Sequence, residues 1–124
     1  MRIDNISMED KMRIIQEIVP GRQVTLAHII ASPDPVLYKK LGLDPSLDYE
    51  KAAIGITTVT PSETAVIMAD VGLKASGIEL GFVDRFSGTL IFTGTVSEVE
   101  AAMEAMMDYV RDRLGHTVCE VTKT

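Results

Sequence analysis

Two histidines and one cysteine are the residues of this chain that most readily suggest chemistry. Cys119 follows His116 by three positions, and His28 lies in a separate apolar stretch. Residues of these types form zinc sites and Cys–His nucleophile pairs. Side chains three positions apart on a strand point to opposite faces, however, and the sequence shows neither a second ligand pair nor a residue to orient a nucleophile. We therefore expect no metal, no cofactor and no catalytic residue, and we place Cys119 in the core.

A turn between two apolar stretches is the second candidate site. It consists of Asp84, Arg85, Phe86, Ser87 and Gly88. The stretches on either side alternate in polarity and are rich in β-branched residues, as the strands of a hairpin are, so that Ile78, Leu80 and Phe82 should share one half-buried face. A charge pair, an aromatic ring and a glycine exceed what a purely supporting turn needs. We expect the turn to face a partner or a solute, with the charge pair forming either a local ion pair or part of a ring of charges.

The composition limits the classes of protein to which the chain can belong. Its 124 residues suit one domain, in which 46% of the residues are apolar. A small domain cannot bury so large an apolar fraction alone, which favours oligomerisation. The net charge of -6 argues against a nucleic-acid partner. The sequence has no signal peptide or long apolar run, and its single cysteine can form no internal disulfide, so we predict a cytosolic chain without a membrane partner.

The elements that must position these residues begin after a polar stretch. Residues 1–11 lack periodicity, and we expect them to be flexible. The apolar residues of the following segment suit a helical stripe and equally a strand, and the residues alone leave both possibilities open. Alternation from Val24 to Ile30 predicts a strand that contains His28.

A short helix and a connector should follow this strand. Ser32 as N-cap, with Pro33 at the first helical position, predicts a helix over Asp34 to Leu41 that stops at Gly42. The charged residues from Leu43 to Lys51 indicate a surface connector.

Two capping boxes predict the long helices of the second half. Thr60 and Glu63 follow a strand that starts at Ala52, and they predict a helix that runs to about Ser76, with a stripe of small residues facing a sheet. Thr95 and Glu98 repeat the motif and predict a helix that ends at Gly115, before a last strand. The order of elements predicts an α+β domain with helices on one face of a mostly antiparallel sheet.

Several separated motifs resemble one family. They are residues 15–21, 23–28, 54–56, 60–65, 81–88 and 117–124, and together they span about residues 12–124. In this order they are similar to the circularly permuted bacterial microcompartment shell proteins of the EutS/PduU group. The resemblance implies a BMC domain over residues 22–124, preceded at residues 12–21 by a strand that joins a six-stranded barrel between subunits.

The resemblance also implies roles for particular residues. The barrel strand would contain Ile14, Ile15, Gln16, Glu17, Ile18 and Val19. Six inward carboxylates would repel one another, so we expect Glu17 to face outward. Asp70 and Lys74 match the edge where neighbouring hexamers meet, and residues 84–88 match the position of a pore loop. Because Arg85 and Phe86 are large, we expect a narrow or plugged opening, and because this turn has no cysteine we expect no iron–sulfur cluster.

Two functions follow as hypotheses. The first is a structural subunit, without a reaction of its own, of a homohexamer that tiles the shell of a microcompartment in the bacterial cytoplasm. Its partners would be other shell proteins and, as further candidates, enclosed enzymes, and relatives of this kind occur in ethanolamine, propanediol and choline systems. The second is a small cytosolic ligand-binding or regulatory oligomer of ferredoxin-like architecture, with the hairpin closing over a metabolite.

Overall fold

The computed structural model describes residues 21–43 and 52–124, which form six strands and three helices. The strands are β1 (Gln23–Ile30), β2 (Ala52–Thr60), β3 (Glu79–Asp84), β4 (Thr89–Thr95), β5 (Thr117–Val118) and β6 (Thr122–Lys123). The helices are α1 (Pro35–Leu41), α2 (Thr64–Ala75) and α3 (Val96–Asp112). The predicted flexible residues 1–11, the barrel residues 12–20 and most of the connector, residues 44–51, lie outside the described residues.

One sheet contains all of these strands, in the order β3-β4-β2-β1-β5, with β6 also beside β1. The long strands pair antiparallel, whereas β5 and β6 run parallel to β1. The predicted α+β domain with a mostly antiparallel sheet is confirmed. The single last strand is not, because only residues 117–118 and 122–123 of the last stretch pair with β1.

The two faces of the sheet bury separate apolar clusters. α2 and α3 cover one face, where Phe92 of the sheet and Met103 of α3 belong to the main core. α1 covers the opposite face, where Tyr38 packs in a second cluster with Ile54. The prediction that the helices lie on one face is therefore wrong. The physical reason is β2, whose successive residues Ala53 and Ile54 are both fully buried, so that each face of the strand needs an apolar cover.

A bulge in β3 changes the faces predicted for the hairpin. Leu80 lies opposite Phe92 whereas Phe82 lies opposite Ile91, so the register shifts by one residue at Gly81. Opposed residues of an antiparallel pair share a face, and the bulge therefore turns Leu80 and Phe82 to opposite faces. The prediction that they share a half-buried face is wrong, and both side chains are exposed at the edge of the sheet.

The cap of α1 also differs from the prediction. Asp34, not Ser32, is the N-cap, and its carboxylate accepts a hydrogen bond from the Val36 amide at 3.0 Å. Pro35 then occupies the first turn, where the missing N–H costs no helical hydrogen bond. The predicted end at Gly42 is confirmed, with a left-handed φ of 70°.

Only one of the two predicted capping boxes forms. Thr60 remains in β2 opposite Gln23, so α2 begins at Thr64 and its N-cap Glu63 makes no side-chain cap. At α3 the box is complete: the Glu98 amide donates to the Thr95 hydroxyl at 3.2 Å, and the Thr95 amide donates to the Glu98 carboxylate at 2.9 Å.

This difference predicts unequal effects of two matched substitutions. Thr95→Ala should lower the free energy of unfolding by about 1 kcal/mol, because it removes the acceptor for the Glu98 amide. Thr60→Ala, in the same sequence motif, should lower it clearly less. Guanidinium denaturation followed by circular dichroism, at one protein concentration, measures both values. Equal losses would contradict the assignment of the caps.

Candidate functional site

The hairpin turn, residues 85–88, is closed by its own backbone and braced by β2. The Gly88 amide donates to the Asp84 carbonyl at 2.8 Å, and the Val59 amide donates to the Gly88 carbonyl at 3.0 Å. Gly88 has a φ of 78°, in the left-handed region. A Cβ at this position would overlap the Val59 carbonyl oxygen and lie 3.2 Å from Cα of Ser62. The close approach of the turn to β2 thus requires glycine.

The carboxylate of Asp84 is held by backbone and not by Arg85. Its Oδ1 accepts a hydrogen bond from the Phe86 amide at 2.8 Å. This bond, with the Ser87 hydroxyl and the Arg85 charge as weaker causes, lowers the pKa of Asp84. Within residues 21–43 and 52–124 no ion pair joins Asp84 to Arg85, so the local ion pair considered from the sequence does not form.

Arg85 and Phe86 project from this fixed base. The Arg85 guanidinium carbon lies 5.0 Å from the centroid of the Phe86 ring, within the range of a cation–π contact. The Phe86 side chain is 81% exposed, the largest value among the exposed large hydrophobic residues described. The turn therefore presents a cation and an aromatic ring beyond the ends of two strands.

Asp70 and Lys74 form the predicted pair on α2. Their side chains meet at 2.8 Å, four residues apart on one face of the helix. The hydrogen bond that Lys74 donates to the Asp70 carboxylate, together with the charge of that carboxylate, raises the pKa of Lys74. Both side chains are mostly exposed, so the pair stabilises the helix little and leaves the ammonium accessible to a partner.

The structure separates the residues that suggested chemistry. His28 contacts the hydroxyls of Thr122 and Thr124 through its two ring nitrogens, and so ties the C-terminal segment to β1. His116 is buried, and burial lowers its pKa below the usual value. Cys119 is a free, partly buried thiol packed against the main core. The residues that the structure describes contain no group of three potential metal ligands.

The brace from Val59 to the hairpin turn is the feature of this site that sequence reasoning missed. Val59 and Gly88 are distant in sequence and become neighbours only because β2 pairs with β4. The glycine at position 88 was the available local signal in the sequence, because glycine tolerates a positive φ. It indicated a turn without indicating which strand the turn contacts.

No helix in the described part of the chain is both long and apolar enough to cross a bilayer.

Comparison with known proteins shows the family. Residues 53–122, more than half of the chain, match the family model described as the BMC domain. The chain belongs to the bacterial microcompartment shell proteins. Among its relatives is the bacterial microcompartment shell protein EutS of Escherichia coli K12, which is 50% identical over 115 residues, or 93% of this chain and 99% of that protein.

Solved structures agree with this family. A structure described as the CutR flat hexamer, form 1, has a TM-score of 0.77 and 39% identity, with each chain covered to 100%. A fused permuted hexameric shell protein from the RMM microcompartment has a TM-score of 0.63 and 26% identity, over 77% of this chain and 49% of that one. The predicted resemblance to permuted microcompartment shell proteins is confirmed, and β1 and α1 precede the BMC match, as a permutation requires.

Family membership decides between the two hypotheses from the sequence. As a microcompartment shell protein, the chain is a structural subunit of that shell. The comparisons give the alternative, a ligand-binding or regulatory oligomer, no support. The predicted barrel positions, residues 14–19, lie outside the described residues, whereas both the edge pair and the turn lie within them.

The geometry at Gly88 predicts a large effect of a small substitution in this shell protein. Gly88→Ala should lower the thermal midpoint because the new Cβ would force the turn away from Val59. Gly42→Ala is the matched control, since Gly42 has a similar φ of 70° but nothing within 4 Å of an added Cβ. That control should cost only the left-handed conformation, about 1 kcal/mol. Differential scanning calorimetry measures both, and similar midpoints would contradict the brace.

Proposed function

We propose that six copies of this shell protein form a flat ring with the hairpin turn at its centre, and that such rings tile the shell. The observation that carries this proposal is the braced turn, in which a rigid backbone displays exposed Arg85 and Phe86 beyond the strand ends. A relative of the same fold is described as a flat hexamer. A subunit with this role needs no reaction of its own, and its partners are other copies, other shell proteins and enclosed enzymes.

The turn would govern the central opening of the ring. Six Phe86 rings around one axis would leave a narrow or closed passage. Asp84 keeps its negative charge but is half-buried at the base of the turn, whereas Arg85 is exposed, so the Arg85 charge would lie nearer the opening and dominate the electrostatic potential there. A ring of six guanidinium groups favours anionic over cationic solutes. The proposed ring of charges is therefore positive.

Asp70 and Lys74 would lie at the outer edge of the ring. α2 starts near the β2 end that braces the turn and finishes before β3, which then runs back toward the turn. Lys74, in the last turn of α2, is thus distant from the proposed axis along the sheet. Its pairing with Asp70 orients the ammonium without burying it, which suits a contact between neighbouring rings.

The N-terminal residues 12–20 would form the barrel over the axis. β1 begins at the same end of the sheet as the hairpin turn, since Val24 pairs with Val59. A segment that precedes β1 would therefore end beside the proposed axis, where six copies could pair and close a barrel. In this barrel Ile14, Gln16 and Ile18 would face inward and Glu17 outward, because six enclosed carboxylates would repel one another.

The ring and its edge can be tested together. Native mass spectrometry of the purified protein should give six subunits, and electron microscopy at high concentration should show sheets.

Lys74→Ala should leave the six-subunit mass and the melting temperature unchanged but reduce the sheets, because an exposed lysine acts through contacts between rings. Lys40→Ala, an exposed lysine of α1, serves as control. A stable monomer would refute the proposed ring, and unchanged sheets with Lys74→Ala would refute the edge.

The barrel has a separate test. Deletion of residues 1–20 should leave a cooperative, six-subunit protein, because the described domain has its own core. Barrel strands gain partners only from other copies, so the deletion should uncover the axis without unfolding the ring. Sedimentation and a thermal melt of the truncated protein decide this. Dissociation to monomers, or a non-cooperative melt, would show that this segment is part of the core.

A further inference from the structure

A ring of identical subunits needs two different contact surfaces on each copy, because a cyclic assembly joins copies head to tail. The four long strands end or begin near the hairpin turn. β3 and β4 flank it, Val59 of β2 bonds to Gly88, and β1 starts opposite Thr60. With the turn at the axis, these strands run outward from the centre. The two edges of the sheet, β3 and the β1/β5/β6 side, then become the two flanks that neighbouring copies must bring together.

The β3 flank carries apolar side chains on the helix-covered face. Leu80 lies opposite Phe92 and Val83 opposite Leu90, and both partners belong to the core beneath α2 and α3. The bulge at Gly81 is the reason that two residues three positions apart share a face. Leu80 and Val83 are 39% and 36% exposed. An edge strand with exposed aliphatic side chains is a surface that proteins usually cover.

The other flank contains a groove of about 440 Å³ on the same face of the sheet. It runs between α3 and the segment from Val118 to Lys123. Its apolar lining consists of Ile29, Met103, Met107, Val118, Cys119 and Val121. Ile29 and Met103 are buried members of the main core, so they form the floor, whereas Val121 is exposed and available at the rim.

The two surfaces match in their distance from the proposed axis. Across the sheet, Ile29, Gly55, Phe92 and Leu80 lie on one level, and Ala27, Thr57, Leu90 and Val83 on another. The pairs Val24–Val118 and His28–Thr122 have the same register, which puts Val121 at the level of Ala27 and Cys119 at the level of Thr25, two residues nearer the proposed axis. Val83 of one copy would therefore arrive beside Val121 of the next, about 7 Å along the strand from the level of Cys119.

Charge also suits this contact. Glu100 pairs with Lys123 at 3.0 Å, and Asp108 pairs with Arg111 at 2.8 Å, so ion pairs of the same chain neutralise the groove at two places. Glu104 is exposed at the rim and can remain in water. The β3 segment from Leu80 to Val83 carries no charge, so its insertion places no unpaired charge in the middle of the groove.

We propose that the helix-covered face of β3, through Leu80 and Val83, packs into the groove between α3 and the C-terminal segment of a second copy of this chain. The contact rests on the proposed ring with the turn at its axis. It closes one flank of each subunit against the opposite flank of its neighbour and covers the free edge of the sheet.

Cross-linking tests this contact directly. Val83→Cys, treated with a bismaleimide long enough to span this offset, should link to the native Cys119 of the neighbouring copy. Denaturing gels should then show a ladder of covalent oligomers that ends at six. The double variant Val83→Cys/Cys119→Ser should lose the ladder. A maleimide linker is chosen because a disulfide would demand a stricter Cβ geometry.

Phe82→Cys is the matched control. It lies on the same strand and flank, and its side chain is 48% exposed, but it faces the opposite side of the sheet. Its ladder should be several-fold weaker. Native mass spectrometry before cross-linking separates the two proposals. Six-subunit rings with no Val83→Cys ladder, or with equal ladders for both variants, would overturn this contact and leave the ring standing. A monomer would overturn both.

Discussion

Burial of β2 on both faces is the constraint on which the rest of the structure depends. Ala53 belongs to the core under α2 and α3, and its neighbour Ile54 belongs to the cluster under α1. A strand of this kind must lie in the middle of the sheet and be covered from both sides. Its Gly55 leaves room for the Phe92 ring, which a Cβ at that position would overlap. The same strand then holds the hairpin turn through Val59, so the core and the proposed axial turn share one support.

Local signals in the sequence predicted what local interactions determine. The Thr95 box at α3 and the Asp70–Lys74 pair depend on residues three or four apart, and both form as expected. The Thr60 box has the same signature and does not form, because pairing with Gln23 keeps Thr60 in β2. Strand pairing across the sheet outweighed a cap that is worth about 1 kcal/mol.

The strand register and the placement of α1 over the sheet could not be predicted from local signals in the sequence. The bulge at Gly81 depends on how β3 meets β4, and the placement of α1 depends on which apolar residues of β2 remain uncovered by the long helices. The turn was recognised from its residue types and from the family resemblance. The Asp84 carboxylate accepts a hydrogen bond from the Phe86 amide and does not pair with Arg85. This choice depends on backbone geometry, which residue types do not determine.

The direction of β1 places the start of β1 and the C-terminal residue Thr124 at opposite ends of the sheet. Val24 lies beside Val59 and thus at the end of the sheet where the turn projects, whereas Thr124 bonds to Ile29 and Ala31 at the opposite end. A peptide or reporter joined ahead of β1 would be delivered toward the centre of a ring, with six copies crowded together. One joined after Thr124 would emerge near the rim, with its copies spread apart. The choice of terminus therefore sets the spacing of any cargo displayed on such an assembly.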